Sequence, residues 1–227
     1  MKRQLVAAAI CAGLLALEAA PVLAQRVDAG GTPFRTWDVH AGTGLQFLSS
    51  TDSVAVDRGG WSTPSGLGSV SVARNWTSHL KPELCICVLT SSDGFADASV
   101  TLPSGQVART YDSLRARQRQ VMVSAVYQFF DNEFAHPYAS AGLRSGLLDI
   151  ESRRSPYATI YQNGTYQSVL LREETTRRTE VQVRPFFALG SKAYFSERVF
   201  ARPEFMLALD KSGVSQLGMN LGFGIDF

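Results

Sequence analysis

Hydrophobic and polar residues alternate one by one along most of this chain, and the alternation is cleanest at its end. From Gln216 to Phe227 one parity reads Leu217, Met219, Leu221, Phe223, Ile225, Phe227, and the other Gln216, Gly218, Asn220, Gly222, Gly224, Asp226. Successive side chains of a strand point to opposite faces, so this is a strand with one apolar face and one small, polar face. The stretch from Thr36 to Leu48 mirrors it, with Trp37, Val39, Ala41, Leu45 and Phe47 set against Asp38, His40, Gly42, Gly44 and Gln46. Between these two, further strands are predicted at Ser69–Ala73, near Leu84–Leu89 where the alternation is poor, at Gln118–Phe129, from Tyr138 to Leu147, from Val181 to Phe195, and from Val199 to Leu209. The tally is eight.

The connections have their own pattern. Polar stretches from Ser49 to Ser65, from Thr90 to Ser113 and from Glu151 to about Thr176 follow the first, third and fifth strands. They read as long loops, the second with a short hairpin around Ala98 to Leu102. Short turns follow the second, fourth and sixth strands, at Asn75–Ser78, Asp131–Glu133 and Ser196–Arg198, and Lys211-Ser212-Gly213 leads into the last strand. Eight strands of about 10 residues with short turns at one end and long loops at the other make an all-β chain, an eight-stranded antiparallel up-and-down transmembrane β-barrel. Closure also removes the hazard of an exposed apolar edge. Pro185 and Pro203 fall inside predicted strands, where each lacks a ladder donor, so bulges or local breaks are expected there.

Composition changes the picture at the N-terminus. Lys2 and Arg3, an apolar run from Leu5 to Leu17 and the small-residue pattern Val22-Leu23-Ala24 read as a secretory signal peptide over 1–24, cleaved before Gln25, with the barrel domain over 25–227. Removing Lys2, Arg3 and Glu18 from 22 basic and 20 acidic residues leaves a net charge of +1, a balance that, with export, speaks against nucleic acid as a partner. Cys85 and Cys87 share one strand face without a nearby His or further Cys in sequence, and are read as two small buried residues, with no metal or cofactor expected.

The terminal Asn220, Gly222, Ile225 and Phe227 resemble the C-terminal assembly signal of bacterial outer-membrane barrels. With Pro137-Tyr138-Ala139-Ser140-Ala141-Gly142-Leu143, Arg184-Pro185-Phe186, Ser196-Glu197-Arg198 and Arg202-Pro203-Glu204-Phe205, the chain resembles the small eight-stranded outer-membrane family of OmpA-like and OmpX-like barrels. That resemblance implies a bacterial outer-membrane location, with membrane lipid, lipopolysaccharide and the barrel-assembly machinery as partners. No peptidoglycan-binding domain is expected after Phe227, so the anchoring role of longer members is not implied. The family includes adhesins, anchors and narrow pores, so it leaves the activity open.

If the apolar parity faces lipid, a polar cluster of Asp38, His40, Gln46, Arg144, Arg184, Arg202 and Glu204 faces the lumen, with Gln120 and Gln128 as neighbours, and its charges should pair with one another. Eight strands leave an interior about filled by side chains, which favours a polar plug over a conducting path. Catalysis would need a base beside a nucleophile or activated water; His79 and His136 fall in short turns, and Asp38 with His40 on one face is the best candidate pair. The third long loop carries Arg153, Arg154, Tyr157, Tyr161 and Tyr166, a composition suited to contact with an extracellular protein or surface ligand, although its charges also suit lipopolysaccharide head groups. Trp37, Trp76, Tyr127, Phe129, Tyr138 and Phe195 are expected as aromatic girdle residues. The expectation is a structural or surface-interaction protein without chemistry of its own. The alternatives are a narrow pore for small solutes, a lipid-modifying barrel enzyme, and a soluble periplasmic barrel with its apolar parity turned inward.

Overall fold

The structure, a computed structural model, describes residues 35–49, 64–130, 135–211 and 213–227. The expected signal peptide, most of the first long loop and the turn at 131–133 lie outside these residues. Every regular element described is a strand: β1 (Trp37–Leu48), β2 (Ser65–Arg74), β3 (Leu80–Leu89), β4 (Ser92–Thr101), β5 (Val107–Gln128), β6 (Ala135–Gln162), β7 (Thr165–Leu170), β8 (Thr175–Tyr194), β9 (Val199–Asp210) and β10 (Gly213–Asp226). All neighbours are antiparallel, and they close into a ring in the order β1-β2-β3-β5-β6-β8-β9-β10. The ring seals where β10 returns to β1, with Asp38 opposite Asp226 and Leu48 opposite Gln216. The eight expected strands are these eight.

The burial is inverted relative to a soluble barrel. Large apolar side chains point outward, among them Ile86, Val88, Leu143, Val183, Phe187, Met219, Leu221 and Ile225, with Leu189 62% and Phe223 56% exposed. Buried positions on the opposite parity include Asp38, Lys81, Glu83, Gln118, Gln120, Arg144, Lys192 and Arg202. Such a surface is stable only against lipid, so the soluble reading, which needs the apolar parity inside, is excluded. Tyr127, Phe129, Phe130, Phe195 and Phe227 are exposed near the end that carries the short turns, forming the aromatic rim of that side.

Two expected loops are largely strands, and the short hairpin expected around Ala98 to Leu102 is present but longer. β4 pairs with β5 from Ser92↔Ala116 to Thr101↔Val107, and β6 pairs with β7 around a turn at Asn163 and Gly164, whose φ values of 53° and 80° suit the two-residue hairpin that Asn-Gly favours. β5, β6 and β8 run for 22, 28 and 20 residues, roughly twice the 9–11 that cross a bilayer. The excess of β5 and β6 builds a four-stranded sheet, β4-β5-β6-β7, beyond the membrane, while that of β8 pairs with β6 up to Thr175↔Arg153. Its inner face has a small core of Ala108, Ala158 and Ile160 with Val100, Leu102, Val169 and Leu171. Above the membrane the outer face no longer needs apolar residues, so the lipid-facing pattern stops while the strands continue.

The prolines are accommodated by ladder gaps. Pro185 pairs with Leu143 of β6 while the β8–β9 ladder begins only at Phe186↔Ala208, and Pro203 pairs with Leu221 of β10 while β8–β9 pairing skips from Gly190↔Glu204 to Ala193↔Ala201. Local breaks are therefore present without register shifts at either proline; the shifts fall at Thr110/Asp112 and Val214/Gln216.

Candidate functional site

The lumen is built as layers by the inward parity of eight strands. Nearest the short-turn end, Asp38 accepts from Lys81 of β3 and, at 2.7 Å, from Lys192 of β8; Lys192 also donates to Asp226 at 2.8 Å. Tyr194 donates to Asp226, and the Lys192 ammonium sits 4.0 Å from the centre of the Phe200 ring. Asp38 and Asp226 are register partners on the first and last strands, so these two lysines tie the closing seam to β3 and β8.

Arg202 organises the next layer. Its Nη1 donates to Glu83 at 2.5 Å, its Nη2 to Glu204 at 2.8 Å and its Nε to the Tyr138 hydroxyl at 2.5 Å, while Tyr138 donates onward to Glu204 at 2.7 Å. The guanidinium also lies 4.5 Å from the Tyr138 ring centre. This corrects the girdle assignment of Tyr138, which is 3% exposed and turned inward. It shares parity with Ser140, Gly142 and Arg144, and Gly190, opposite it on β8, leaves room for the ring: a Cβ there would meet the Tyr138 hydroxyl at 2.4 Å. Tyr138→Phe, which removes two hydrogen bonds to charged groups, is expected to lower stability by about 1.5–3 kcal/mol, read as the shift in urea midpoint of the micelle-refolded barrel.

Above Arg202 the lumen turns apolar, with Leu67, Cys85, Cys87, Leu89, Met122, Phe186, Ala188, Met206 and Ala208 packed together. Gln120 then donates to Gln46 at 3.2 Å and Gln216 to Gln118 at 3.3 Å, and a second apolar group of Leu48, Leu114, Ala116, Leu148 and Ile150 closes the far side. A cavity of only about 20 Å³ lies between His40 and Met206, room for about one water. Such a filling is a plug.

Of the residues singled out from sequence, Asp38, His40, Gln46, Arg144 and Arg202 are buried in the lumen, and Arg184 and Glu204 face it from partly exposed positions. Arg144 departs from the expected pairing: it is 1% exposed, yet neither Nη1 nor Nη2 has a hydrogen-bond partner among the described residues. The Asp38–His40 pair belongs to the ion network. His40 Nδ1 is 3.7 Å from Asp38, and its ring nitrogens lie 3.4 and 3.1 Å from Arg202 Nη1. Asp38 is already engaged by two lysines, so this arrangement does not poise His40 as the base of a hydrolase. His136 lies in β6, not in a turn, with its Nδ1 2.5 Å from Gln128. Lys81, Glu83, Lys192 and Asp226 are lumen residues that the sequence reading did not single out.

Of the residues expected to form an assembly signal, Ile225 and Phe227 are exposed on the lipid side, Asn220 donates to Ser69 at 3.2 Å and Gly222 lies beside His40. In the extramembrane sheet, Tyr157 and Tyr161 are exposed and Tyr166 is 78% exposed, with the Tyr161 and Tyr166 rings 4.9 Å apart. Arg153 donates to Glu173, and Arg154 to Glu174 at 2.9 Å, bracing β6 against the segment before β8. The Arg153 guanidinium holds the Glu173 carboxyl below the ordinary carboxylate range, so this brace persists at neutral pH and is lost only as pH falls through that lowered value.

A closed antiparallel ring of eight strands with lipid-facing apolar residues, a salt-bridged lumen and short turns at one end defines the class: a small outer-membrane-type β-barrel. No protein-family profile and no curated protein sequence matches the chain. Similar solved structures include the N-terminal β-barrel domain of OprF from Pseudomonas aeruginosa, at 14% identity and a TM-score of 0.49, covering 85% of this chain and 98% of that one. Ail, the attachment invasion locus protein of Yersinia pestis, is 11% identical with a TM-score of 0.48, covering 86% of this chain and 100% of its own. The outer membrane protein OprG of Pseudomonas aeruginosa is 11% identical with a TM-score of 0.48, covering 85% and 97%.

Proposed function

We propose that this chain is a structural and surface-interaction protein of the bacterial outer membrane, exported with removal of residues 1–24, whose contacts are made by the sheet that stands outside the bilayer. The observation that carries this reading is the outer face of that sheet. Phe95, Tyr111, Tyr157, Tyr161, Tyr166 and Leu170 are all exposed there, on strands held rigid by their own small core. Rigid aromatic side chains present large contact area at low entropic cost, and aromatic residues with Arg are the commonest anchors of protein interfaces. The plugged lumen supports neither of the rival readings, a solute path or an enclosed catalytic pocket.

Lipid contact adds a second partner. Just above Val121 on the outer face of β5 stand Arg119, Arg117 and Arg115, all exposed, and Arg115 pairs with Asp93 at 3.0 Å. Exposed guanidinium groups next to the lipid-facing band suit contact with lipopolysaccharide phosphates, which the Arg fork binds well.

Tyr157→Ser, Tyr161→Ser and Tyr166→Ser combined are expected to cut adherence of cells displaying the barrel to a panel of immobilised matrix proteins (fibronectin, laminin, collagen) by about 30-fold or more, since truncating even one hot-spot aromatic costs about 2 kcal/mol. The unheated gel mobility should be unchanged. Measurable adherence that is equal for the two chains would remove the aromatic sheet from the function.

A further inference from the structure

We propose that the lumen contains a binding site for a soft monovalent metal ion, copper(I) or silver(I), with the thiolates of Cys85 and Cys87 as its principal ligands and the thioethers of Met122 and Met206 completing it. Four sulfur side chains from three strands converge on one buried cluster and all four line the same small cavity. Cys85 and Met122 are register partners across β3 and β5, and Met206 reaches in from β9, its methyl group placed against Gly218, which also lines the cavity. The two cysteine sulfurs lie 2.9 Å apart. Placing an ion between them at metal–sulfur distances of about 2.3 Å needs them to part by roughly 1 Å or more, by rotation about χ1.

The other donors around the cavity explain the choice of ion. Glu83 and Glu204, which would suit a hard cation, are both held by Arg202 at 2.5 and 2.8 Å. His40 is turned toward the same guanidinium at 3.1 Å. Beside the neutral amide oxygens of Gln120 and Asn220, the sulfurs are the uncommitted bases; thiolate with thioether selects soft ions over calcium or magnesium, and the thioethers favour a monovalent soft ion over zinc, which takes Cys, His or carboxylate ligands.

Charge supports the same site. Binding releases two protons, one from each thiol, and a monovalent ion held by two thiolates carries one negative charge. Such a charge needs a cation in an apolar setting. Arg144 is a buried guanidinium whose terminal nitrogens lack hydrogen-bond partners among the described residues, and it is the register partner of Met122, which in turn pairs with Cys85. The orphaned arginine and the paired thiols thus account for each other. A disulfide is the poorer outcome, because Cα atoms two apart on an extended strand are separated by about 6.6 Å, near the limit of about 6.8 Å for a bridge.

The test is titration of the full barrel, folded in detergent and kept reduced and anaerobic, with copper(I) against a chromophoric chelator. One equivalent should bind, with thiolate-to-copper charge-transfer absorption in the near ultraviolet. Cys85→Ser with Cys87→Ser should weaken binding by more than about 100-fold, and Met122→Leu or Met206→Leu by about tenfold each, with every variant keeping its heat-modifiable gel mobility. Should the serine variant fail to fold, protection of the wild-type thiols from alkylation by one equivalent of silver(I) is the equivalent readout. Absence of binding, binding unchanged in the serine variant, equal affinity for zinc(II), or a Cys85–Cys87 disulfide that resists reductant would each overturn the site. Leucine variants that bind as tightly as wild type would overturn the thioether ligands.

Discussion

Arg202→Ala is expected to cost the folded barrel about 3–5 kcal/mol, the largest loss of any single lumen substitution. The residue is fully inside and serves Glu83, Glu204 and the Tyr138 hydroxyl at once. Its removal leaves two carboxylates facing each other across a narrow space that water enters poorly, and breaking a buried pair from one side is costly because the abandoned charge stays behind. Arg202→Lys should recover only part, since one ammonium cannot reproduce the planar fork or the stacking on the Tyr138 ring. Arg202→Met combined with Glu83→Leu should be milder than Arg202→Ala alone, because the buried Glu83 charge is then gone and the one carboxylate left behind, Glu204, is partly exposed and keeps its hydrogen bond from Tyr138. Urea midpoints of the micelle-refolded barrels measure all three. A loss below about 1 kcal/mol for Arg202→Ala would mean that the lumen is wetter and less tightly coupled than its geometry indicates.

Gly44→Val should prevent closure of the ring. Gly44 lies on β1 opposite Asn220 of β10, at the seam between the first and last ring strands. A Cβ at position 44 would fall 2.0 Å from the Met219 carbonyl oxygen and 2.8 Å from the Asn220 Cα. Those are backbone atoms and cannot rotate away, so the strands must separate, at a cost above the roughly 3 kcal/mol of ordinary overpacking. The expected result is a chain that runs identically boiled and unboiled on a denaturing gel. Gly68→Val is the control, because the nearest atom to a Cβ there is the Val88 carbonyl oxygen at 3.9 Å; it should fold.

The ring was readable because every ring strand crosses the same bilayer, and lipid on one side with packed polar groups on the other enforces strict alternation. β10 and β1 show this most plainly, and they are the pair that seals the barrel. β3 was obscured by Pro82 and by the run from Leu84 to Leu89, in which neither parity carries a charge. The two cysteines are buried as expected, and Lys81, Glu83, Cys85 and Cys87 form one parity with Pro82, Leu84, Ile86 and Val88 the other. Reading β3 by parity would have found Lys81 and Glu83, just as the parity of Ser140 and Arg144 would have turned Tyr138 inward.

What the pattern could not show is which charges meet across the ring. Arg202 and Glu83 are 119 residues apart in sequence and Lys192 and Asp38 are 154 apart, and their pairing depends on strand stagger. The extramembrane strands were hidden for a different reason. From Arg119 back to Val107 the outer face of β5 meets no hydrocarbon, so arginines and aromatics replace the aliphatic residues by which a lipid-facing strand is recognised. Only the inward Ala108, Leu114 and Ala116 keep the two-residue period there.

Single-channel recording in a planar bilayer tests the central claim, that this barrel is plugged and acts from its surface. The full ring, folded in detergent and inserted, should give no conductance steps above the lipid baseline, because the cavity between His40 and Met206 is about 20 Å³ and is capped by the Asp38–Lys192–Asp226 network on one side and by the glutamine pairs and the second apolar group on the other. Reproducible steps that change size with Arg144→Ala or Arg202→Ala would contradict it and make the lumen, not the extramembrane sheet, the working part of the protein.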